Sequence, residues 1–189
     1  MKKTENKDLN RLSKEDFKSK IKTPVSILLD NIRSMNNVGS CFRTCDAFLI
    51  EKIYLTGITA SPPHREIHKT ALGATESVDW EYKKNPEDIL QKLKKNNWKI
   101  VLIEQTNQSI ELNEFNPKKN QKYCFVFGNE VFGISKNILP YGDFSIEIPQ
   151  FGTKHSLNIA VSFGIVIWDF FVKSISKKLS HILILSMIL

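Results

Sequence analysis

The feature that most constrains the fold is a regular alternation between short apolar runs and longer amphipathic segments. Apolar runs typical of buried strands lie at 25–30, 52–56, 78–82, 98–105, 122–127 and 144–148. Segments with a helical pattern lie between or after them, at 39–48, 86–96 and 155–172. Strands that alternate with helices in this way predict an α/β domain, in which helices flank a mainly parallel sheet.

Length and charge limit the organisation of this domain. The 189 residues are enough for one core of ordinary size with tails, and we expect no second full domain. We expect a basic N-terminal arm at 1–22, one domain at 23–173 and a C-terminal tail at 174–189. The formal net charge of +7 suggests an anionic partner such as nucleic acid, although excess lysine also serves solubility. The arm could therefore contact phosphates or be a disordered solubilising tail.

The chain shows no pattern typical of a secreted, metal-binding or membrane protein. Cys41, Cys45 and Cys124 lack the spacing of a disulfide framework or a zinc site, so we expect buried thiols. His64 and His68 have helical spacing but no third ligand nearby, and we expect no metal. The N-terminus lacks the apolar core of a signal peptide, and an apolar run at 182–189 is too short to span a bilayer. We expect a cytoplasmic protein without a membrane partner.

Three unusual loops, at 31–39, 128–133 and 149–158, are expected at the carboxyl ends of strands, where such sheets bind ligands. In the first segment, DNIRSMNNVGSCFRTCD, Asn36 or Asn37 can cap the helix and Gly39 permits close backbone approach. Arg43 is expected about one turn inside this helix. It either holds a phosphate or ribose oxygen or pairs on the surface with Asp46 or Glu51.

The second and third segments also have two readings each. In FVFGNEVFGIS, two glycines enclose Glu130, which fits either a ligand-facing loop or a plain strand-to-helix connection. This loop is neither a Walker A loop nor a GxGxxG fingerprint, and no nucleophile elbow is present, which disfavours other nucleotide-binding enzymes. In IEIPQFGTKHSLNIAVSF, Ser156 either caps the following helix or binds substrate phosphate or cofactor.

In this order and at these separations, the three segments resemble the motifs of SpoU/TrmH-type RNA 2′-O-ribose methyltransferases of the SPOUT superfamily. The pattern N-x-G-x3-R is matched by Asn37, Gly39 and Arg43. The pattern G-x-E-x2-G is matched by Gly128, Glu130 and Gly133. The pattern I-P-x2-G-x3-S-L-N is matched by Ile148, Pro149, Gly152, Ser156, Leu157 and Asn158. The resemblance covers about 25–172, and it departs from the family at Gln150, where methionine is usual, and at the bulky Phe163.

The resemblance implies a C-terminal trefoil knot, S-adenosylmethionine as cofactor and RNA as substrate, with tRNA slightly favoured over ribosomal RNA. It also implies a homodimer whose site draws on both subunits, with the apolar helix at 155–172 burying one face against the partner. A non-catalytic RNA-binding assembly factor on the same fold is the alternative. That alternative predicts loss of motif residues such as Arg43 or Asn158, and neither is missing.

The resemblance also implies the site residues. Cofactor contacts are expected from Phe127, Gly128, Asn129, Gly133, Ile148, Gln150 and Leu157. Catalytic residues are expected to be Arg43, Asn37, Glu130, Ser156 and Asn158. A guanidinium does not normally release its proton in a protein, so we expect Arg43 to act as an electrostatic clamp. Glu130 is the only carboxylate in the three motifs and is the rival candidate for general base.

Overall fold

The computed structural model describes residues 1–5, 8–9 and 11–186, with side chains described up to 174. Its helices are α1 (Lys14–Ser19), α2 (Met35–Ala47), α3 (Arg65–Ala71), α4 (Ala74–Ser77), α5 (Glu87–Lys95) and α6 (Ile159–Ser186). Its strands are β1 (Thr23–Asp30), β2 (Ile50–Thr56), β3 (Trp80–Lys83), β4 (Lys99–Ile103), β5 (Ile110–Glu111), β6 (Tyr123–Phe127) and β7 (Phe144–Glu147).

The strands form one seven-stranded sheet in the order β3-β2-β1-β6-β4-β7-β5. Every pair of neighbouring strands is parallel, which confirms the prediction of a mainly parallel sheet flanked by helices. Because parallel strands run in one direction, all their carboxyl ends lie at the same edge of the sheet. The loops after β1, β6 and β7 are the three unusual loops of the sequence, so this edge is where a site is expected.

The central strands are buried on both faces, which explains their continuous apolar sequences. All five residues of β6 and the last six of β1 are buried. A larger apolar cluster covers one face of the sheet and includes Phe42 of α2 and Phe163 of α6. A smaller cluster covers the other face and includes Leu90 of α5. The core therefore fixes β1 and β6 side by side and holds the loops that follow them.

Aromatic packing places the start of α6 beneath the carboxyl end of β6. The ring of Phe163 lies 4.9 Å from that of Phe127, and the ring of Phe170 lies 5.6 Å from that of Phe125. Phe163, the bulky departure from the family pattern, is therefore a fully buried core residue. The opposite face of α6 carries exposed apolar side chains, including Ile165 and Trp168.

Helix α2 begins one turn earlier than the sequence indicated. Ser34 is its cap and accepts a hydrogen bond from the Asn37 N–H at 3.2 Å, so the expectation that Asn36 or Asn37 caps the helix is wrong. Ser34 supplies the cap and Met35 the first apolar contact, so the helix begins at Met35, before the predicted start at Gly39. Arg43 consequently lies more than two turns inside the helix rather than about one. Gly39 does permit close approach, because a Cβ there would lie 2.3 Å from the carbonyl oxygen of Ile67 in α3.

Helix α6 begins at Ile159, four residues later than expected. Asn158, rather than Ser156, supplies the cap contact, since its Oδ1 accepts the Ala160 N–H at 2.9 Å. Ser156 instead lies exposed in the preceding loop. The backbone of α6 continues to Ser186 across the boundary predicted at 173, and the apolar run at 182–189 lies outside the described side chains.

Part of the N-terminal arm packs on the domain. Phe17 of α1 is buried, and Lys14 pairs with Glu76 of α4. Lys22 donates to the Phe17 carbonyl and lies 3.9 Å from its ring centroid. The segment from Ser13 to Lys22 is thus folded against α4, while contact of the arm with phosphates stays a prediction.

The three cysteine side chains lie in the core of the domain. All three cysteines are free and buried, as expected, and burial raises the pKa of each thiol above its ordinary value. Within the described part of the chain, no helix is long and apolar enough to cross a membrane.

Candidate functional site

Glu130 joins the second segment to the first at the carboxyl edge of the sheet. Its Oε2 accepts the backbone N–H of Arg33 at 3.1 Å, and its Oε1 accepts that of Ser34 at 3.3 Å. The side-chain amide of Asn37 donates to the same Oε1 at 3.2 Å. One carboxylate therefore receives three donors from a segment almost a hundred residues earlier in the chain.

Asn37 extends this contact to the third segment. The Nδ2 of Asn158 lies 3.4 Å from the Oδ1 of Asn37, within hydrogen-bond distance. Glu130, Asn37 and Asn158 thus form a continuous polar chain across all three segments. The structure brings together three of the five residues predicted to be catalytic, although nothing in their sequence positions alone requires it.

The environment of Glu130 lowers its pKa below the ordinary value. Burial by itself would raise the pKa, but backbone N–H groups, first that of Arg33, and the Asn37 amide stabilise the charged form more strongly. A carboxylate with a lowered pKa is a weaker base, and its lone pairs are already engaged. The geometry favours a role in holding the first segment over proton abstraction.

The loop after β6 is a rigid turn. The N–H and C=O groups of Asn129 and Gly133 bond reciprocally at 2.9 Å, and the Oδ1 of Asn129 accepts the N–H groups of Val131 and Phe132 at 2.9 and 3.1 Å. The Nδ2 of Asn129 donates to the carbonyl of Asn31 at 2.7 Å. Asn129 therefore fixes the turn internally and ties it to the loop after β1.

Both glycines of this turn lie where a side chain has no room. A Cβ on Gly128 would lie 2.3 Å from the carbonyl carbon of Gly133. Gly133 has a φ of +68°, in the left-handed region that favours glycine, and a Cβ there would lie 2.3 Å from the Oε2 of Glu104. That oxygen accepts the Ile134 N–H at 3.0 Å. The G-x-E-x2-G spacing is thus a steric requirement of this turn.

A buried carboxylate that the sequence analysis missed lies beneath the turn. Asp30, at the end of β1, is 1% exposed, and its Oδ2 accepts the hydroxyl of Ser135 at 2.6 Å and its N–H at 3.2 Å. Its Oδ1 accepts from Asn31 Nδ2 at 2.9 Å and from Thr56 Oγ1 at 3.2 Å. The available signal was an aspartate closing an otherwise apolar strand, because a charge there needs several donors.

A cavity of about 300 Å³ opens at this edge beside the turn. Its lining includes every residue predicted to contact cofactor, which are Phe127, Gly128, Asn129, Gly133, Ile148, Gln150 and Leu157. Glu130 and Ser156 also line it. Glu104 and Gln105 are lining residues that the sequence analysis did not select, because it placed both inside the strand predicted at 98–105. Strand β4 ends at Ile103, and the change from apolar to polar residues at that point was the signal that could have found them.

Arg43 lies apart from this cavity. It is exposed on α2 and, within the described part of the chain, has no hydrogen bond or ion pair. The two surface partners considered for it are engaged elsewhere, since Asp46 accepts from Ser77 and Glu51 pairs with Lys122 at 3.1 Å. The guanidinium is therefore free to meet a group from outside this chain.

A second cavity of about 590 Å³ lies along the outer face of α6. We call it the α6 groove; its lining is Glu111, Leu112, Asn113, Pro149, Phe151, Ile165, Trp168, Asp169 and Val172. Phe151 is 97% exposed and Trp168 is 57% exposed. Exposed apolar side chains gathered in one groove are typical of a surface that a protein partner covers.

His64, the first residue of the histidine pair, has a structural role. The Nδ1 of His64 accepts the Glu66 N–H at 3.2 Å and so caps α3. Among the residues with described positions, no group of three or more histidine, cysteine or acidic side chains could hold a metal ion.

Comparison with known proteins gives a consistent result. The model of the SpoU rRNA Methylase family matches residues 24–168. A Borreliella burgdorferi protein named as an uncharacterized tRNA/rRNA methyltransferase is 32% identical over 167 residues, which cover 88% of this chain and 71% of that protein. The 23S rRNA (guanosine-2′-O-)-methyltransferase RlmB of Neisseria meningitidis is 29% identical, and the match covers 76% of this chain but 56% of that protein.

Solved structures share the fold. The crystal structure of an Aquifex aeolicus TrmH/SpoU tRNA modifying enzyme matches with a TM-score of 0.76 at 25% identity, covering 87% of this chain and 82% of that one. An AdoMet-bound rRNA methyltransferase from Sinorhizobium meliloti matches with a TM-score of 0.71 at 25% identity, covering 77% of this chain and 54% of that one.

Proposed function

Because the chain belongs to the SpoU rRNA methylase family, we propose that it transfers a methyl group from S-adenosylmethionine to a ribose 2′-hydroxyl of tRNA or ribosomal RNA. The observation that carries the proposal is the polar chain of Glu130, Asn37 and Asn158, which joins three distant segments beside one cavity. Relatives are named for ribosomal RNA and for tRNA, and we propose tRNA as the slightly favoured substrate.

The cavity fits the proposed cofactor. When bound, S-adenosylmethionine supplies a methyl group on a positively charged sulfur. The cavity volume of about 300 Å³ lies at the lower end of the range of small-ligand sites, which is about 300–1,000 Å³. Gly128 and Gly133 bring bare backbone to the wall, where N–H and C=O groups can hold polar atoms. Phe127, Ile148 and Leu157 would contact its apolar parts.

The remaining residues would orient the ribose. We assign Arg43 to the acceptor nucleotide, where its fork of donors stabilises negative charge that develops on the 2′-oxygen. Since a guanidinium keeps its proton in a protein, Arg43 is not assigned as the base. Asn37, Ser156 and Asn158 would position the nucleotide, and Glu130 would hold Asn37 in place.

A homodimer would explain both the α6 groove and the isolation of Arg43. A second copy seated on the groove would cover Phe151 and Trp168 and so remove apolar surface from water. In such a dimer Arg43 can complete the site of the partner copy. A C-terminal trefoil knot, which family membership implies, and a cytoplasmic location belong to the same proposal.

Methyl transfer from labelled S-adenosylmethionine to bulk tRNA and, separately, to ribosomal RNA tests the function. We expect label in alkali-resistant 2′-O-methyl dinucleotides from one pool, and loss of that label in Arg43→Ala. Binding of cofactor and RNA without transfer to either pool would favour the assembly-factor alternative. Binding of neither would overturn the proposal.

Mixing two inactive variants tests the shared site. If Arg43 acts in the partner's site, a one-to-one mixture of Arg43→Ala and Gly128→Ala should recover about a quarter of wild-type activity. Half of the dimers are then mixed, and each holds one intact site of two. No recovery in a mixture that sediments as a dimer would place Arg43 and the cavity of the same chain in one site.

A further inference from the structure

The turn after β6 presents its largest apolar side chain to solvent. Phe132 is 86% exposed, and its ring contacts no other aromatic ring in the described part of the chain. A single exposed phenylalanine is ordinary on a protein surface. Phe132 differs from an ordinary exposed phenylalanine in three respects, which are the order of its backbone, its position beside the cavity and the charges nearby.

The first feature is rigidity. The Asn129 side chain accepts the N–H of Phe132 at 3.1 Å, and the reciprocal bonds between Asn129 and Gly133 close the turn behind it. The backbone that carries the ring is therefore already ordered before any partner arrives. A pre-ordered aromatic ring binds with little further loss of conformational entropy.

The second feature is position. Val131 and Gly133, on either side of Phe132, both line the cavity, whereas Phe132 does not. Its ring consequently stands on the outer rim of the cavity. Glu130 lies only two residues away, at most about 7 Å between Cα atoms, and Glu130 holds Asn37 beside the place assigned to the ribose.

The third feature is charge. Arg33 and Lys136 are exposed residues near the turn: the N–H of Arg33 bonds to Glu130, and Lys136 lies three residues after Gly133. The α6 groove is different, since the charged residues among its described lining are Glu111 and Asp169, both acidic. The carboxylates at this turn, those of Glu130 and Glu104, are already engaged by backbone N–H groups. An exposed ring with two cations nearby fits a polyanion with flat bases better than it fits the apolar face of a protein.

We propose that the Phe132 ring is a stacking platform for a nucleobase of the RNA substrate, an inference that rests on the proposed function. Arg33 and Lys136 bind the flanking phosphates. The ring holds the base at the rim while the attached ribose reaches the polar chain of Glu130, Asn37 and Asn158. Stacking accepts any base, because every base has an aromatic face, so Phe132 contributes affinity and placement rather than sequence choice.

Three substitutions at one position test this inference. Phe132→Ala and Phe132→Leu should each weaken binding to labelled bulk tRNA or ribosomal RNA, whichever pool accepts methyl groups, by about tenfold and raise KM for that RNA. Phe132→Trp should bind RNA as well as wild type or better, since it restores a ring. The affinity for S-adenosylmethionine and the sedimentation coefficient should not change in any of them.

Leu139→Ala is the control, because Leu139 is an exposed apolar residue in the same connection, 41% exposed against 86% for Phe132, and lies close to the amino end of β4. If Phe132→Leu binds RNA as tightly as wild type, apolar size suffices and the stacking inference is wrong. If Phe132→Ala instead shifts the oligomeric state, the ring is a contact with a second copy and the inference is also wrong. A wild-type protein that methylates neither RNA pool would overturn the proposed function itself, which is a distinguishable result.

Discussion

The two edges of the sheet are held together in different ways. At the carboxyl edge, side-chain oxygens accept hydrogen bonds from backbone N–H groups of distant segments, as the exposed Glu130 does from Arg33 and the buried Asp30 does from Ser135. At the amino edge, half-exposed lysines form ion pairs, such as Lys99 with Asp143 and Lys122 with Glu51. Directional hydrogen bonds to the backbone fix geometry, whereas half-exposed ion pairs between side chains contribute little to stability. The edge that carries the site is therefore the one where hydrogen bonds between distant segments fix the geometry.

The largest expected effect is a loss of methyl transfer without a loss of stability, caused by substitution of Arg43. Arg43→Ala should lower the rate of methyl transfer at saturating substrates by about 100- to 1,000-fold, the usual result of removing one preorganised donor. Its free energy of unfolding should change by less than about 0.5 kcal/mol, because the exposed side chain makes no hydrogen bond or ion pair with any residue that the structure describes. Arg43→Lys should recover part of the rate, since it keeps the charge without the fork. A rate within tenfold of wild type in the alanine variant would remove Arg43 from the mechanism.

The second effect concerns the turn itself. Gly128→Ala should weaken S-adenosylmethionine binding by about 100-fold in titration calorimetry, because a Cβ forces the turn apart. Gly152→Ala adds a Cβ where no other atom lies within 4 Å, so its loss of affinity should be much smaller. Equal losses in the two variants would show that the close contact between Gly128 and Gly133 is not what shapes the cavity.

The third effect measures how strongly the carboxyl edge is fixed. Asp30→Ala should lower the free energy of unfolding by about 3 kcal/mol in denaturant titrations, because it removes the acceptor of the half-buried Ser135 hydroxyl and N–H, and the shorter of the two hydrogen bonds of the buried Thr56 hydroxyl. It should also weaken cofactor binding, since Ser135 closes the turn. A loss below about 1 kcal/mol would place Asp30 on the same level as an exposed ion pair.

The fourth effect is a pH dependence. The pKa of Glu130 is lowered in the folded protein from an ordinary value of 4.5, so its carboxylate stabilises the fold fully above the unfolded pKa. That stabilisation disappears as the pH falls through the lower folded pKa. The difference in unfolding free energy between wild type and Glu130→Gln should thus be constant near neutral pH and vanish in acid. If Glu130→Gln also removed an acid limb from the rate profile above pH 6, Glu130 would be the base after all.

The smallest effect is expected at the amino edge. Lys99→Ala should change the free energy of unfolding by less than about 1 kcal/mol, because Lys99 is half-exposed and its pair with Asp143 is screened by salt. Methyl transfer should stay at the wild-type rate. A loss as large as that of Asp30→Ala would remove the distinction between the two edges.

Much of the fold was predictable because its strands are short, apolar and followed by turn residues. All six predicted strands occur, with bounds shifted by a few residues at most. The short elements α1, α3, α4 and β5 were missed, since segments of two to seven residues carry too few apolar positions to show a period. Helix starts were misplaced where a single cap decided them, as Ser34 and Asn158 did.

The site was predictable in its membership more than in its geometry. The motif pattern selected residues that line one cavity, such as Gly128 and Leu157. It could not select Asp30 or Glu104, because each acts by accepting hydrogen bonds from segments far away in the chain. Nor could the motif pattern show that Arg43 lies apart from the cavity, because that depends on which face of α2 carries the side chain.

The strand order also determines when the site can come into existence. Strands β1, β2 and β3 follow one another in the chain and can pair as soon as they are made. The neighbour of β1 on its other side is β6, and Val25 lies beside Tyr123, about a hundred residues later. The cavity therefore cannot form until β6, β7 and the first turns of α6 have docked. A nascent or refolding chain would acquire affinity for a small ligand only at the last step, so ligand binding would report completed folding rather than guide it.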